Sequence, residues 1–577
     1  MCGIFFSLSR KGYVPPDPTT AQRLKNRGPD SSGQHQTLIP ATAYRHPEST
    51  RLHATFFSTV LSLRGTALVE QPLRDDASGS ILCWNGEAWS VDREAVSGND
   101  SRVIFDLFLR SCAAKWTDQR IDSIARTIQV ISAIRGPFAF VFYDAMNHHL
   151  YYARDCLGRR SLLRKSTSEH ELVLSSVCDS SAGSRWGEVE ADGLYVLDLQ
   201  AASSGASFDA THFPHRRRDD NAPSSLTLTL PFPDMNKSGS DSGAPHIQTE
   251  ILSKLRDSLQ QSLALRVHHI REATGPGAPA ANQDTKLAIL FSGGLDCTIL
   301  ARMSHGLLPL GETIDLLNVA FENPRIHAKL DVGTSPYDLC PDRITARSSH
   351  AELERVCPGR CWRLVEINVP YTDTAASRSD VMTLMHPHNT EMDLSIAYAL
   401  YFASRGTGIV RHTNGLEEIS TKPYQSTAHV LLSGLGADEL FGGYQRHAIA
   451  FSRQGHLGIV GELELDFNRL GKRNLGRDDR VISDSGKEVR FPYLDENFIA
   501  LVLELPVSAK CDFATPQMEG SDDPARFLEP GKRVLRLLAW DLGMRNVAAE
   551  KKRAIQFGAR TAKMETGKTK GTHLLTC

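Results

Sequence analysis

No stretch of this 577-residue chain approaches the ~18 consecutive apolar residues that a membrane-spanning helix needs. The apolar run Ile4-Phe5-Phe6 is too short for a signal-peptide core, and Arg10-Lys11 follows it rather than precedes it, so no secretion leader is expected. Zinc or redox spacing is missing as well. The 11 cysteines are scattered without a C-x-x-C repeat, and their odd number fits reduced thiols in a cytoplasmic protein. Cys357-Pro358-Gly359-Arg360-Cys361 and His386-Pro387-His388 do not match a usual zinc pattern. An excess of one charge is absent: the net charge is −2 and the pI is near 6.9, which gives no bulk argument for nucleic acid or an anionic membrane. The G-x-x-x-x-G-K-[ST] phosphate loop is absent, and no internal repeat is visible. Asn236-Lys237-Ser238 has the form of a glycosylation site but no secretory context. The length exceeds what one core supports, so two or more domains are expected.

What is present begins at the N-terminus, Met1-Cys2-Gly3-Ile4. Removal of Met1 puts a thiol and a free α-amine on one residue. That amine has an ordinary pKa of about 8 and serves as a base near neutral pH. The pair is a compact nucleophile-and-base device, although a short motif alone is also an ordinary start. Further segments supply what such a thiolate needs. Arg27-Gly28-Pro29-Asp30 is a turn-forming tetrapeptide with a charge at each end. Leu61-Ser62-Leu63-Arg64-Gly65 reads as a strand ending in a guanidinium that can clamp a carboxylate, or as a plain surface strand. Trp84-Asn85-Gly86-Glu87 follows the apolar Ile81-Leu82-Cys83; it offers amide donors for an oxyanion, or a simple turn. Ser97-Gly98-Asn99-Asp100 reads as the cap of a helix starting near Ser101, with Asp100 placed to hold an ammonium.

In this order behind Cys2, the segments resemble the class II, N-terminal nucleophile, glutamine amidotransferase domain. Its Cys-Gly-Ile start, Arg-Gly-Pro-Asp and Asn-Gly-Glu elements all match. The resemblance continues through Arg154-Asp155-Cys156-Leu157-Gly158-Arg159-Arg160 and Leu174-Ser175-Ser176 to about residue 200. It implies hydrolysis of glutamine to glutamate and ammonia. Carried over, Cys2 is the nucleophile, and Asn85 and Gly86 stabilise the oxyanion. Arg64, Asn85, Gly86, Glu87 and Asp100 form the glutamine site.

Short β-rich runs recur up to this point: 56–60, 138–142 and 193–197. Residues 201–245 are rich in Ser, Thr, Asp, Gly and Pro and read as a linker or surface excursion. A helix is expected over about 247–271, with Ile251, Leu255, Leu259 and Leu263 on one face. A buried strand over 285–291 then feeds Ser292-Gly293-Gly294-Leu295-Asp296-Cys297 and a helix. Small residues at a strand-to-helix junction let backbone N–H groups approach an anion. Further strand runs over 314–321, 363–369 and 429–432 alternate with helices, which argues for a doubly wound sheet with ligands at the strands' carboxyl ends. The last run ends in Ser433-Gly434-Leu435-Gly436-Ala437-Asp438-Glu439, followed by Phe441-Gly442-Gly443-Tyr444.

The first of these loops resembles the pyrophosphate loop of ATP pyrophosphatases, with Cys297 where most of them have Ser. The second resembles the asparagine synthetase signature, and Glu488-x-Arg490-x-Pro492-Tyr493-Leu494-Asp495 matches that family's next element. A glutaminase followed by this domain is the asparagine synthetase arrangement. Pro341-Asp342-Arg343-Ile344-Thr345, Arg473–Arg480 and Lys552–Gly558 bring the chain nearer still to the eukaryotic asparagine synthetase domain-containing branch. Without the resemblance, the first segment reads as a loop and helix cap, and the second as a salt-bridged surface turn. The expected architecture is an α+β αββα glutaminase domain over 2–200, the excursion 201–245, and an α/β synthetase domain over 246–577.

The resemblance implies ATP and Mg²⁺, with Asp296 and Asp438 as the magnesium carboxylates; helix N-capping is their plainer role. It places Ser292, Gly293, Gly294 and Cys297 at phosphate, Val319 at adenine, and Ser433 and Gly434 beside ribose and the α-phosphate. Two departures matter. Leu435 stands where the family has Glu beside the activated acyl group, and Ala554 stands where it has Lys, with Lys552 or Arg553 available to replace it. The implied reaction is glutamine-dependent amidation of an AMP-activated carboxylate, foremost aspartate to asparagine. The alternatives are another acceptor carboxylate or a weakly active binding scaffold. The partners implied are small-molecule substrates, neither nucleic acid nor membrane, with a homodimer left open.

Overall fold

The structure is a computed structural model. It describes residues 2–39, 51–113, 119–166, 171–179, 185–217, 226–238, 245–268, 270–271, 285–331, 333–414, 418–515, 517–518, 523–564 and 570–575. The chain forms two compact units. The first comprises Met1–Pro231, Thr383–His388 and Leu470–Gly486; the second comprises Phe232–Met382, Asn389–Arg469 and Lys487–Cys577. The division thus falls inside the 201–245 stretch, and two later segments pack with the first unit rather than with the domain expected from 246 onward.

The first unit is built on two large, mainly antiparallel sheets. In one, the strand Gly3–Ser9 lies between Glu171–Ser175 and Leu52–Val60, with Gly3 opposite Thr59 and Phe5 opposite Ser175. In the other, Phe138–Asp144 lies between His149–Arg154 and Ile81–Gly86. Ile4, Phe6 and Phe56 of one sheet share a core with Val141, Tyr143 and Leu150 of the other. Central strands are buried on both faces, which is why 138–144 reads as a near-continuous apolar run. The outer face of the second sheet packs Trp84, Phe140 and Phe142 against Phe105 and Phe108 of the helix Asp100–Cys112 and Ile128 of the helix Gln119–Ala133. The outer face of the first packs Phe5 and Phe57 on Leu24 of the helix Pro18–Arg27. This is the αββα layering expected.

Two local expectations give way. The strand Thr211–Arg216 pairs with Gly193–Asp198, so part of the supposed excursion is sheet. Residues 473–480 are not a surface turn: the helix Leu475–Ser483 is buried throughout, and Arg477, Asp478, Asp479 and Arg480 are all inside. Charge composition alone does not distinguish an exposed cluster from one whose partners arrive from distant sequence.

The second unit has a seven-stranded sheet. Its parallel strands lie in the order Trp362–Val369, Ile314–Phe321, Leu287–Leu290, Val430–Leu432, Glu488–Arg490. An antiparallel pair, Thr407–Asn414 and Glu418–Gln425, extends one edge. Numbered along the chain, the parallel order is 3-2-1-4-5, the doubly wound pattern. Its switch point lies between Leu287–Leu290 and Val430–Leu432, and both glycine-rich motifs leave the sheet there. The helix expected over 247–271 spans Pro245–Val267.

Candidate active sites

In the first unit, Cys2 is held from several sides. Arg27 Nε donates to the Cys2 carbonyl at 3.3 Å, Gly3 N donates to Thr59 Oγ1 at 3.0 Å, and Ile4 N donates to Ser176 Oγ at 3.0 Å. Arg27 is itself fixed by Ser483 Oγ at 2.5 Å and Asp479 Oδ2 at 2.7 Å. The turn after it is closed by Asp30, whose Oδ2 accepts from Ser62 N at 2.7 Å. The Arg-Gly-Pro-Asp element therefore ties the N-terminus to Ser62, Asp479 and Ser483.

A residue not anticipated from sequence joins the thiol to the amide donors. Gln71 is buried; its Nε2 lies 4.0 Å from Cys2 Sγ, and its Oε1 accepts from Trp84 N at 2.7 Å. Trp84 Nε1 donates to Asp100 Oδ2 at 3.0 Å, and Ala88 N reaches the same oxygen at 2.9 Å. Cys2, the 84–88 stretch and Asp100 are thus brought into one network. Asn99, not Asp100, caps the helix, so Asp100 is its first residue. Burial pushes the Asp100 carboxyl above its usual range, against the opposing pull of its hydrogen bonds and Arg64.

Asn85 is fully buried, and among the described residues neither its Oδ1 nor its Nδ2 has a hydrogen-bond partner. A buried amide left unpaired is costly unless something arrives to use it. Gly86 is required by close packing, since a Cβ there would lie 2.3 Å from Pro137 O. Arg64 donates to Ala88 O at 2.8 Å and Val96 O at 2.6 Å, with Glu87 Oε2 at 3.5 Å. In this conformation it braces the loop, so binding a substrate carboxylate requires it to exchange those carbonyls.

In the second unit the switch point carries the other constellation. Ser292–Gly294 turns into the helix Leu295–His305, with Asp296 in its first turn. Gly293 has φ +77°, and a Cβ there would meet Ala346 N at 2.4 Å, so only glycine fits. Cys297 Sγ lies 3.7 Å from Ser292 Oγ and 3.3 Å from Gly294 O; burial raises its thiol and keeps it neutral. Val319 lies in the next strand, and Ser433 Oγ accepts from Leu435 N at 3.3 Å.

Asp296 and Asp438 are brought together by a residue that sequence reading missed. Lys532 Nζ lies 2.6 Å from Asp296 Oδ2 and 2.7 Å from Asp438 Oδ1. Lys532 sits at the start of the helix Arg533–Asp541 with φ +56°, a geometry no sequence signal announces. Lys552 Nζ reaches Asp438 Oδ2 at 2.5 Å, while Arg553 turns to Thr345 Oγ1 at 3.3 Å and Asp342 at 3.8 Å. Of the two cations near Ala554, Lys552 is the one that pairs with Asp438. Burial opposes ionisation of Asp438, but the two ammoniums outweigh it and hold the carboxyl below its usual range. Asp296 Oδ1 is buried without a hydrogen-bond partner among the described residues, and Lys532 bridges both carboxylates as a cation would. No group of three or more metal-ligating side chains occurs among the described residues. Two carboxylates suit a magnesium ion that takes its other oxygens from phosphate and water.

Two carboxylates that could stand in for one at position 435, Glu439 and Glu488, are engaged. Glu488 Oε1 accepts from Arg490 at 2.7 Å. Glu439 Oε1 accepts from Tyr444 OH at 2.6 Å; its Oε2 is buried without a partner among the described residues, and burial with Asp438 alongside raises its carboxyl. No helix among the described residues is long and apolar enough to cross a membrane.

Comparison with known proteins places this geometry in context. The asparagine synthase family model matches residues 420–461 and 454–571. An asparagine synthetase domain-containing protein 1 from Gallus gallus is 32% identical over 95% of this chain and 94% of its own length. An asparagine synthetase domain-containing protein from Saccharomyces cerevisiae is 33% identical over 93% and 91%. A glutamine-hydrolysing asparagine synthetase from the same yeast is 21% identical over 88% of this chain and 77% of its own.

Proposed function

This chain belongs to the asparagine synthetase domain-containing protein family, and from that premise we propose that it is a glutamine-dependent amidotransferase consuming ATP. In the first half-reaction Cys2 Sγ attacks the side-chain amide carbon of glutamine, and the Cys2 α-amine takes the thiol proton and returns it to the leaving ammonia. Asn85 Nδ2 and Gly86 N–H receive the oxyanion, while Arg64, Glu87 and Asp100 hold the amino-acid end. Water then cleaves the thioester to glutamate. In the second, a carboxylate attacks the α-phosphate of ATP and pyrophosphate leaves. Ammonia displaces AMP from the mixed anhydride to give the amide. Ser292, Gly293, Gly294 and Cys297 face the phosphates, Val319 the adenine, and Ser433 and Gly434 the ribose side. Lys532 and Lys552 offset charge on the leaving group. Asp296 and Asp438 would hold Mg²⁺, which supplies further charge neutralisation for pyrophosphate.

The observation that carries the reading is the Asp296–Lys532–Asp438 bridge at the switch point of a doubly wound sheet. Aspartate is the first acceptor to test. Leu435 favours a second reading, an acceptor other than aspartate, because a side chain without a titratable group cannot take the proton released on amide formation. The experiment is ATP–pyrophosphate exchange across a panel of carboxylic acids, with glutamate release from glutamine followed in parallel. Exchange with aspartate establishes the first acceptor, exchange with another acid alone the second. Absence of both exchange and glutaminase activity leaves only a binding scaffold.

A further inference from the structure

Apart from the two constellations, the second unit holds a cavity of about 310 Å³. Its walls come from the helix Glu391–Arg405, the helices following the strand Trp362–Val369, and the C-terminal stretch from Gln556 onward. That stretch is laced to the carboxyl end of the strand Ile314–Phe321. Phe321 N donates to Ala559 O at 3.0 Å, and Asn323 Nδ2 donates to Arg560 O at 2.9 Å and Ala562 O at 3.1 Å. The cavity therefore lies on the edge of the sheet where such folds take ligands, beside the switch point rather than at it.

Three features point to an occupant. Thr561 is 3% exposed and lines the cavity, yet its hydroxyl has no hydrogen-bond partner among the described residues. Met392 and Phe557, also in the lining, are left 45% and 54% exposed. The remaining lining combines an apolar body of Tyr371, Leu394, Tyr398 and Met564 with charges of both signs, Arg378 and Lys563 against Glu391.

We propose that this cavity binds a free α-amino acid with an apolar or aromatic side chain. The cations match its carboxylate, Glu391 matches its ammonium, and Thr561 supplies a hydroxyl to the polar end. The side chain covers the rings and methionines that water now meets. A volume of about 310 Å³ suits a small ligand and not a nucleotide tail. The wall is also mechanically placed to report occupancy. The stretch that carries Gln556, Phe557 and Thr561 begins at Lys552, whose ammonium sits 2.5 Å from Asp438. Filling the cavity fixes the stretch that delivers Lys552.

Calorimetric titration of the full chain with L-phenylalanine, L-methionine and L-leucine tests the site directly. Phenylalaninamide and N-acetylphenylalanine are the controls, each lacking one of the two charges. Saturable binding of a free amino acid is expected, with each blocked form about tenfold weaker or worse, as loss of one charge-assisted contact implies. Thr561→Val and Glu391→Gln should weaken binding similarly while leaving the melting temperature unchanged. If none of the three binds, if a blocked form binds as tightly as its parent, or if both variants bind like the parent, the assignment is wrong. Calorimetry reads binding without turnover, so this outcome is independent of the amidotransferase reading.

Discussion

Replacing Asp479 by Asn isolates one buried contact on which the position of Cys2 depends. Arg27 and Asp479 meet at 2.7 Å with side chains 1% and 0% exposed. Asp479 Oδ2 also accepts from Ser161 N at 3.1 Å, and Arg160 lies 3.6 Å from Oδ1. Removing the negative charge leaves two buried guanidinium groups undercompensated. Breaking a buried pair costs about 3–5 kcal/mol, against about 0–1 kcal/mol for a surface pair. At roughly 2–4 °C per kcal/mol for a unit of this size, that is a fall of ~6–20 °C in the melting temperature of the first unit. Arg27 also holds the Cys2 carbonyl, so glutamine hydrolysis should drop as well. The paired replacement Arg27→Met with Asp479→Leu should restore part of the stability, because apolar isosteres avoid the desolvation cost of that pair, while Arg160 and Ser161 N still lose the carboxylate. It should not restore activity, because the Cys2 grip is still gone. Thermal scans and glutamate release measure the two effects separately. A melting shift below about 2 °C for Asp479→Asn would mean that the charge cluster behaves like a surface turn, and the reasoning fails.

Asn85→Ala should lower glutamine kcat by roughly 10²–10³-fold without destabilising the protein, since the amide has no partner to lose among the described residues; a normal kcat would remove it from the oxyanion site. Asp296→Asn and Asp438→Asn should each suppress pyrophosphate release while glutamine hydrolysis continues, and unimpaired release in both would dismiss the magnesium assignment. Burial pushes the Asp342 carboxyl up to about 7, against the opposing pull of Arg553 and Lys552. Because the unfolded group ionises near ~3.9, the stability tied to its protonated form is full below that pH and lost as pH rises through about 7. Asp342→Asn should therefore flatten the pH dependence of the urea midpoint across that window, and an unchanged slope would show that another group titrates there.

The parts legible in sequence are those whose chemistry is local. Cys2-Gly3, Asn85-Gly86 and the Ser292–Asp296 loop each keep the chemistry proposed for them within a few residues, and apolar runs such as 138–142 and 314–321 are buried strands. The parts that escaped depend on long-range meetings. Arg27 and Asp479 are 452 residues apart in the chain, so their charges read separately as a turn and a surface cluster. Gln71 carries no pattern of its own and gains meaning only because the fold sets it between Cys2 and Trp84. Lys532 reaches both aspartates from a left-handed backbone conformation that local propensity disfavours. Thr211–Arg216 sits in polar, Pro-bearing sequence and becomes a strand because the edge of an existing sheet accepts it.

In the proposed reaction, activation and amide formation draw on different residues, and the chain equips them unequally. Adenylation requires the phosphate loop, two carboxylates and cations for the leaving group. Asp296, Asp438, Lys532 and Lys552 meet within hydrogen-bond distance, and the proposed reading assigns them the carboxylates and cations. Attack by ammonia releases a proton beside the acyl carbon, and Leu435 offers no group to receive it. Glu488 is neutralised by Arg490, and ionisation of Glu439 is opposed by burial, with Asp438 alongside. A group that resists ionisation already tends to hold its proton, so it is a poor reservoir for another. The efficient solution is an acceptor, or an amine, that brings its own base to the site. That requirement bears on the choice between aspartate and another acid more directly than the resemblance does, because it concerns a position where this chain departs from the asparagine synthetase signature.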